Sequence, residues 1–481
     1  MKVSFLASEA IPYCKTGGLG DVVGSLPYSL TSLGLEICLF LPFYLDIQQK
    51  NLPLHKIAEL NGRWQGKEIK VPLWESKLSP FRVVFIQNDA YYAREGLYGT
   101  PLGDHPDNAE RFSFYCLFSL EAMKTIGFKP DIIHAHDWQA ACSLAYLRYL
   151  YKEDHFFKST RTLFTIHNLA YQGLFPPEVI EKVGLPAQVF HWKEMEFYGQ
   201  VNFLKAGLIY SDAISTVSPT YSREIQQPEY GYGLDGVLRE RSSVLFGILN
   251  GIDQSIWDPE KDPLLPFHFN SQDLSGKRKC KEELLRYFKL PTDLIEKPLA
   301  GIVSRLANQK GFDLLIESLE SLFSLGLRLV ILGQGEKKYQ DLLLDLQKEK
   351  RNFLRVKIAF DESLAHLIIA GCDFFFIPSR FEPCGLTQMY SLRYGTIPIV
   401  RAVGGLEDTV VEFDPLTLRG NGFKFKEYST QALIEATKRA LAVYSQPNLW
   451  SSLIKQAMAA DFSWEKTAQE YIDLYRRIQK F

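Results

Sequence analysis

The stretch "LAGIVSRLANQKGFDLLIESLESLFSLGLRLVILG" (residues 299–333) decides the fold of the second half of the chain. Two short β-rich runs flank a segment with apolar residues at helical spacing, which is typical of a strand–helix–strand unit. The alternation continues through "LRVKIAF" and "DFFFIPS" to "IPIV" at 397–400. Because parallel strands need crossover helices, this pattern predicts a doubly wound, Rossmann-like α/β domain.

The first half of the chain has the same rhythm with insertions. Strand patterns such as "KVSFLAS", "EICLFLP", "DIIHAH" and "RTLFTIH" alternate with helical ones. We predict helices over 20–33, 109–126 and 194–210 and a hairpin over 56–75. The first half of the chain therefore predicts another Rossmann-like domain, which lies N-terminal to the one predicted from residues 299–333 onward.

The length of 481 residues exceeds what one hydrophobic core normally supports, which agrees with two domains. The polar, proline-containing segment "DPEKDPLLPFHFN" (258–270) has the composition of a linker. We predict an N-terminal domain over 1–250, a linker over 251–272, a C-terminal domain over 273–460 and a final helix within 461–481 that packs back on the first domain. Paired doubly wound domains bind ligands at the carboxyl ends of their sheets, facing an inter-domain cleft.

Composition limits the partners and the compartment. The net charge is −2 and the basic residues are dispersed, so nothing predicts a nucleic-acid footprint. No window approaches eighteen consecutive apolar residues, so we expect no membrane partner. Seven scattered cysteines without a CxxC pair indicate reduced thiols and no zinc site. We expect a soluble protein of the cytoplasm, or a mature organelle form; the oligomeric state cannot be read from the sequence.

A glycine-rich corner follows the first strand. In "KTGGLGDV", Lys15 precedes Gly17, Gly18 and Gly20, and a helical pattern begins there. Glycines allow close backbone approach, and a helix N-terminus offers unpaired N–H groups, so this corner suits an anion. The lysine comes before the glycines, unlike a Walker P-loop. A glycine-rich turn with an exposed lysine is the structural alternative.

The second half supplies a matching set of groups. Arg305 and Lys310 follow a strand in "SRLANQKG", where a planar fork and a mobile ammonium could share a phosphate. In "SRFEPCGLTQMY", Gly385, Leu386 and Thr387 open a helix whose first amides suit another phosphate oxygen. Glu382, just before them, is placed to accept hydroxyl protons from a ligand, the alternative being a helix cap.

Eight motifs, in order from Lys15 to about Gly405, carry a family resemblance. The chain resembles the bacterial glycogen synthases and plant starch synthases in "KTGGLGDV", "HAHDWQ", "TIHNLAYQG", "FYGQVNFLKAGL", "STVSPTYSREI", "LNGID", "SRLANQKG" and "SRFEPCGLTQMYSLRYGTIPIV". The resemblance implies a GT-B fold and a retaining glucosyltransferase that moves glucose from ADP-glucose to the non-reducing end of an α-1,4-glucan such as glycogen. It implies no metal and no cofactor.

The resemblance also implies roles for individual residues. Lys15 and Gly18, with Arg305, Lys310 and the 385–387 amides, would converge on the nucleotide diphosphate. Phe360 would lie against adenine, although the family's frequent tyrosine hydroxyl is missing; a buried strand-end phenylalanine is the alternative. His167 would contact the transferred glucose, and Asp137 would line the acceptor side. Asn250 would hydrogen-bond the sugar, the alternative being an Asn-Gly turn.

Three further points concern the histidines and the competing functions. His134 and His136 share a strand face, but no further ligands at suitable spacing support a metal reading. Gln139 stands where many bacterial members of the family have a histidine.

Two alternative functions are a related GT-B enzyme that uses UDP-glucose and a non-catalytic glucan-binding scaffold. Glycogen phosphorylase is disfavoured because no motif for a lysine-bound pyridoxal phosphate is present.

Overall fold

The computed structural model describes residues 1–100 and 102–480. The chain divides into two compact units. Unit 1 comprises residues 1–217 and 222–251 together with the chain from Trp464 to the end of the described part, and unit 2 comprises residues 218–221 and 252–463.

Unit 1 is built on a mainly parallel sheet. In the described residues its nine strands lie in the order β14, β13, β9, β8, β1, β2, β5, β4, β3, and only the β5–β4 and β4–β3 pairings are antiparallel. The strands of unit 1 are β1 (Lys2–Leu6), β2 (Glu36–Pro42), β3 (Leu54–Trp64), β4 (Lys67–Ser76), β5 (Arg82–Ile86), β6 (Gly99–Thr100), β7 (Gly103–Asp104), β8 (Ile132–His136), β9 (Arg161–Ile166), β10 (Leu174–Phe175), β11 (Glu196–Phe197), β12 (Gln200–Asn202), β13 (Ala213–Thr216) and β14 (Leu245–Gly247).

The helices of unit 1 cover the faces of this sheet. Strands β1, β8 and β9 are buried almost throughout, as expected for parallel strands covered on both faces. The last helix of the chain also belongs to unit 1. The helices are α1 (Gly18–Ser32), α2 (Leu45–Gln49), α3 (Asp89–Tyr92), α4 (Asn108–Thr125), α5 (Asp137–Tyr149), α6 (Val179–Lys182), α7 (Phe203–Tyr210), α8 (Pro219–Glu224), which spans the junction with unit 2, α9 (Asp235–Glu240) and α18 (Trp464–Ile478).

Unit 2 contains an all-parallel sheet in the order β17, β16, β15, β18, β19, β20. Its strands are β15 (Leu299–Val303), β16 (Arg328–Gly333), β17 (Leu354–Ile358), β18 (Phe374–Ile377), β19 (Ile397–Arg401) and β20 (Phe423–Phe425). Its helices are α10 (Ser275–Tyr287), α11 (Phe312–Ser324), α12 (Lys337–Glu349), α13 (Glu362–Gly371), α14 (Thr387–Arg393), α15 (Gly404–Thr409), α16 (Thr430–Tyr444) and α17 (Pro447–Met458).

The proline-containing segment packs on unit 2. The Trp257 indole stacks on the rings of His366 and Tyr390, with ring centroids 3.8 Å apart in each pair. The buried Asp262 carboxylate accepts hydrogen bonds from His366 Nδ1 and Tyr394 OH, both at 2.6 Å. Aromatic stacking and a buried charged hydrogen bond therefore fix this segment to α13 and α14.

Two α/β units with parallel sheets confirm the predicted fold class. The helix predicted over 194–210 is wrong in its first half, where β11 and β12 form a hairpin and α7 begins only at Phe203. The reason is the turn Tyr198–Gly199, in which both residues have positive φ (49° and 81°), the requirement of a type I′ hairpin turn. No helix in the described part of the chain is long and apolar enough to cross a membrane.

Candidate active site

The candidate residues of each unit lie at the carboxyl edge of its sheet. In unit 1 the chain leaves β1 toward β2 on one side, while β8 lies on the other, so the strand order reverses between β1 and β8. In unit 2 the reversal lies between β15 and β18. Doubly wound sheets bind ligands at such switch points, outside the carboxyl ends of the strands. Each unit therefore brings a set of predicted residues to the position where its topology favours a ligand.

Glu9 organises the glycine-rich corner of unit 1. Its carboxylate accepts hydrogen bonds from the backbone N–H of Thr16 (2.5 Å) and Gly17 (3.1 Å) and from the Thr16 hydroxyl (2.7 Å). Tyr98 OH donates a further bond to Glu9 Oε1 at 2.5 Å. Glu9 is buried, so losing these donors would strand a charge away from water. Sequence reasoning missed Glu9, although a carboxylate three residues after β1 was the available signal.

The loop held by Glu9 leads into α1. Lys15 Nζ lies 2.6 Å from Asp21 Oδ1, and both side chains are partly exposed. A Cβ at Gly20 would lie 3.0 Å from Lys15 Cγ, and one at Gly24 would lie 2.8 Å from the Ile11 carbonyl oxygen. These glycines therefore allow α1 to pack closely on the loop that carries Lys15. Gly18 is the first residue of α1.

Asp137 and His167 meet beside β8 and β9. Asp137 begins α5 with a left-handed φ of 55°, and its Oδ1 accepts a hydrogen bond from the His167 backbone N–H at 2.7 Å. Burial raises the pKa of the Asp137 carboxyl to about 7 and lowers the pKa of the His167 imidazole to about 3. His167 is therefore a neutral imidazole at physiological pH, and Asp137 fixes the backbone that carries it.

The ring of His167 contacts a second histidine. His136 Nδ1 lies 3.0 Å from His167 Nε2. His134, two residues earlier on the same strand face, is hydrogen-bonded to Tyr475 OH and Thr165 Oγ1. No group of three or more His, Cys, Asp or Glu side chains among the described residues has an arrangement that could hold a metal ion.

Asn250 and Gln139 are buried in unit 1. Asn250 follows β14 by three residues, and its Oδ1 has no hydrogen-bond partner in the described part of the chain. Gln139 lies in the first turn of α5, and its Oε1 is likewise without a partner there. The Asn250 oxygen is thus a buried acceptor that a ligand donor could satisfy.

An ion pair joins the two loops at the switch point of unit 2. Lys310 Nζ lies 2.6 Å from Glu382 Oε2, which also accepts a hydrogen bond from Ser379 Oγ at 3.0 Å. Glu382 is 6 % exposed, and α14 has no side-chain cap hydrogen bond, so Glu382 is a buried acceptor in this loop and not a helix cap. Gly311 has a left-handed φ of 75°, and a Cβ there would lie 2.0 Å from the Pro378 carbonyl oxygen. Only glycine allows the two loops to approach this closely.

The other predicted groups of unit 2 lie in the same loops. Arg305 follows β15, and its Nη2 lies 3.5 Å from Gln309 Oε1. Gly385 has a left-handed φ of 70°, Leu386 caps α14 without a side-chain hydrogen bond, and Thr387 is the first helical residue. Gln388 Nε2 donates to the Cys384 and Gly385 carbonyls, which fixes this turn. The first amides of α14 therefore have no capping side chain.

Phe360 follows β17 and is 82 % exposed. The alternative of a buried strand-end phenylalanine is therefore wrong. A large apolar ring held in water at the carboxyl edge of the sheet is available to stack on a planar ligand.

A cavity of about 790 Å³ opens elsewhere in unit 1. It lies beside the β3–β4 turn and α6 and includes the Lys182–Glu110 ion pair, whose atoms are 3.7 Å apart. None of the predicted site residues lines it, so it does not represent the candidate site.

Comparisons with known proteins identify this two-unit fold as that of glycosyltransferases. Residues 2–240 match the starch synthase catalytic domain family, and residues 292–457 match the glycosyl transferases group 1 family. The chain is an enzyme of the glycosyltransferase class.

Its relatives define the family more closely. The chain is 44 % identical over 481 residues to the glycogen synthase of Koribacter versatilis, covering 100 % of this chain and 99 % of that protein. It is 47 % identical over 480 residues to the glycogen synthase of Anaeromyxobacter dehalogenans strain 2CP-C, covering 99 % and 100 %. The chain belongs to the family of glycogen and starch synthases, as the sequence motifs predicted.

Solved structures show the same fold. The catalytic domain of starch synthase IV from Arabidopsis thaliana, bound to ADP and acarbose, superposes with a TM-score of 0.92 at 35 % identity, covering 100 % of this chain and 99 % of that one. Sucrose-phosphate synthase from Thermosynechococcus elongatus gives a TM-score of 0.58 at 17 % identity over 99 % of this chain and 98 % of that one. The second likeness shows the fold alone. The GT-B fold is thereby confirmed.

Proposed function

We propose that the chain elongates glycogen by transferring glucose from ADP-glucose to the non-reducing end of an α-1,4-glucan, with retention at the anomeric carbon. The observation that carries this proposal is the Lys310–Glu382 pair at the switch point of unit 2. A mobile cation there suits a diphosphate, and a buried carboxylate beside it suits a sugar hydroxyl. The similar starch synthase IV was solved with ADP and acarbose, a nucleotide and an oligosaccharide analogue, which supports both substrate classes.

In the proposed donor complex, positive groups balance the diphosphate. Arg305, Lys310, and the 385–387 amides would bind its oxygens, and Lys15 with Gly18 of unit 1 would complete the set. Cations and oriented N–H groups stabilise the charge that develops on a leaving phosphate. The exposed ring of Phe360 would stack on adenine. The unpartnered Oδ1 of Asn250 would accept a hydrogen bond from a sugar hydroxyl.

The proposed chemistry uses no covalent glycosyl-enzyme. Retaining glycosidases form one with a second carboxylate about 5 Å from the first, beside the reacting carbon. No second carboxylate of this chain could be assigned to that place from the sequence. We therefore propose that the acceptor hydroxyl attacks from the face that the diphosphate leaves and that a phosphate oxygen takes its proton. His167 would contact the transferred glucose, and Asp137 would lie on the acceptor side.

The decisive experiment measures ADP released from ADP-glucose with and without glycogen. Glycogen-dependent release that continues in EDTA supports the proposal; release without incorporation of glucose into glycogen contradicts it. Competition with UDP-glucose tests the related-enzyme alternative, which a preference for UDP-glucose would establish. Absence of transfer from either donor, with glycogen binding retained, would favour the non-catalytic scaffold. We also propose the cytoplasm as compartment, since all seven cysteines are buried free thiols.

A further inference from the structure

His136 is a buried histidine to which the proposed function assigns no role. It ends β8, and its Nδ1 lies 3.0 Å from Nε2 of His167, which directly follows β9. The strands are paired in parallel register, with His136 opposite Thr165. The two rings are thus brought together by the sheet itself and not by a movable loop.

The ring of His136 is held rigidly. Its centroid lies 4.0 Å from that of His134 and 5.3 Å from that of Phe5, on which it stacks. His134 is itself fixed by a hydrogen bond at each ring nitrogen, 2.8 Å between Nδ1 and Tyr475 OH and 2.5 Å between Nε2 and Thr165 Oγ1. His136 therefore cannot turn away from His167 without disturbing α18 and two strands.

The number of protons on the His136 and His167 rings limits which tautomers they can adopt. Burial holds the pKa of His136 well below its usual range and that of His167 at about 3, so both rings are neutral at pH 7. Only one proton can then lie between His136 Nδ1 and His167 Nε2. His136 Nε2 is buried and has no hydrogen-bond partner in the described part of the chain.

The unpartnered Nε2 of His136 decides whether His136 or His167 donates the hydrogen bond between the two rings. If His167 donated, the His136 proton would sit on Nε2 as a buried N–H without an acceptor, which native proteins strongly avoid. If His136 donates, Nε2 is a bare acceptor, and buried acceptors lacking a donor are better tolerated. The His167 proton must then sit on Nδ1, because Nε2 accepts the hydrogen bond from His136.

We propose that His136 is a positioning residue that donates from Nδ1 to His167 Nε2 and thereby fixes His167 as the Nδ1–H tautomer. His167 then offers a hydrogen-bond donor to its ligand, while Asp137 holds its backbone. Only the identity of that ligand, a hydroxyl oxygen of the transferred sugar, rests on the proposed function. The hydrogen bond made by one imidazole nitrogen sets the tautomer at the other.

A pair of substitutions separates hydrogen bonding from packing. His136→Asn keeps an N–H donor near the position of Nδ1 but loses the ring, whereas His136→Phe keeps a stacking ring but removes the donor. We expect kcat to fall by roughly tenfold to a hundredfold in His136→Phe, as misplaced catalytic groups do, with a smaller change in KM. His136→Asn should retain kcat better than His136→Phe. The reverse order would show a packing role and overturn the proposal.

Nitrogen-15 NMR of histidine-labelled protein reads the tautomer independently of activity. The His167 signals, assigned by their loss in His167→Asn, should show a protonated Nδ1 in the native protein and in His136→Asn, and a shift toward protonated Nε2 in His136→Phe. A native protein protonated on Nε2 would overturn the proposal even if the variants do not fold. If the native enzyme releases no ADP, the proposed function fails, and the tautomer result still decides the inference.

Discussion

Lys310 Nζ and Glu382 Oε2 lie 2.6 Å apart although 72 positions separate them in the chain. The two residues follow β15 and β18, the strands that flank the switch point of unit 2. The ammonium is therefore neutralised before any anion arrives. A diphosphate that binds Lys310 must compete with Glu382 or share the cation with it, and this makes the two residues separable by mutation.

Lys310→Ala should lower kcat/KM for ADP-glucose by about a hundredfold, because loss of a buried charge contact costs about 2–5 kcal/mol and 1.4 kcal/mol is tenfold in rate. Steady-state kinetics of glucose transfer measures this. Lys337→Ala is the matched control, since Lys337 pairs with Asp341 on an exposed face of α12. Near-normal turnover of the Lys310 variant would reject its role.

Glu382→Gln should lower kcat more than it weakens donor binding. The substitution keeps the shape and the Ser379 contact but removes a negative charge next to the proposed diphosphate, so ADP should bind at least as tightly. Calorimetry with ADP and kinetics together give the two quantities. Glu320→Gln, at an exposed ion pair with Lys350, controls for loss of surface charge. An unchanged kcat contradicts the catalytic assignment.

Glu9→Gln should raise KM for ADP-glucose and lower the stability of unit 1. An amide NH₂ would face donors that now bond to a carboxylate, and unsatisfied buried polar groups cost about 1–3 kcal/mol each. Thermal unfolding and donor kinetics measure both effects. Glu36→Gln, at the exposed pair with Lys2, should change neither. Retention of both the native KM and the native stability would show that Glu9 does not hold the Lys15 loop.

Phe360→Ala should weaken ADP-glucose binding by roughly five- to a hundredfold, since stacking on a base contributes about 1–3 kcal/mol. Stability should not change, because the ring is 82 % exposed and supports no core. Phe360→Tyr should retain affinity, as it preserves the ring. If the alanine variant binds the donor normally, adenine lies elsewhere.

Acid should destabilise unit 1 below pH 6.5 through the three histidines at the ends of β8 and β9. Burial lowers the folded-state pKa of His134, His136 and His167, so these rings gain protons only on unfolding. Their stabilisation is complete above pH 6.5 and is lost as pH falls, at most about 1.4 kcal/mol per pH unit for each ring. Asp137 acts in the opposite sense, because its folded-state pKa of about 7 lies above its unfolded value.

Urea unfolding at pH 6.5 and 5.5, followed by a probe in unit 1, measures the balance. A net uptake of up to two protons on unfolding is expected, and Asp137→Asn should raise it to three by removing the opposing group. A free energy of unfolding that does not fall between these pH values would contradict the lowered pKa values of the three histidines.

The sequence predicted the fold because strand and helix periods alternate clearly, and it predicted the family because eight motifs occur in order. It did not predict the β11–β12 hairpin, since the turn at Tyr198 needs a positive φ that local propensity disfavours in a non-glycine residue. The exposure of Phe360 was equally out of reach, because exposure depends on what a strand end faces. Whether a side chain at the end of a strand is exposed or buried follows from tertiary structure alone.

Contacts between distant segments account for the remaining gaps. Glu9 acts by binding the 16–17 amides, and His136 by contacting a histidine 31 positions later, so residue type alone assigns neither role. The pairing of Lys310 with Glu382 required knowing that β15 and β18 are neighbours. Residue types and strand ends predict candidate ligand-binding groups, but the hydrogen bonds that orient these groups appear only in three dimensions.

The position of α18 bears on the order in which the molecule matures on the ribosome. Tyr475 is hydrogen-bonded to His134, and Trp464 packs on Gly251, yet Trp464 and Tyr475 both lie in α18, which follows the whole of unit 2 in the chain. The chain of unit 2 is synthesised in full before α18 emerges. The histidine cluster of unit 1 therefore stays incomplete until the segment that forms α18 has also been synthesised.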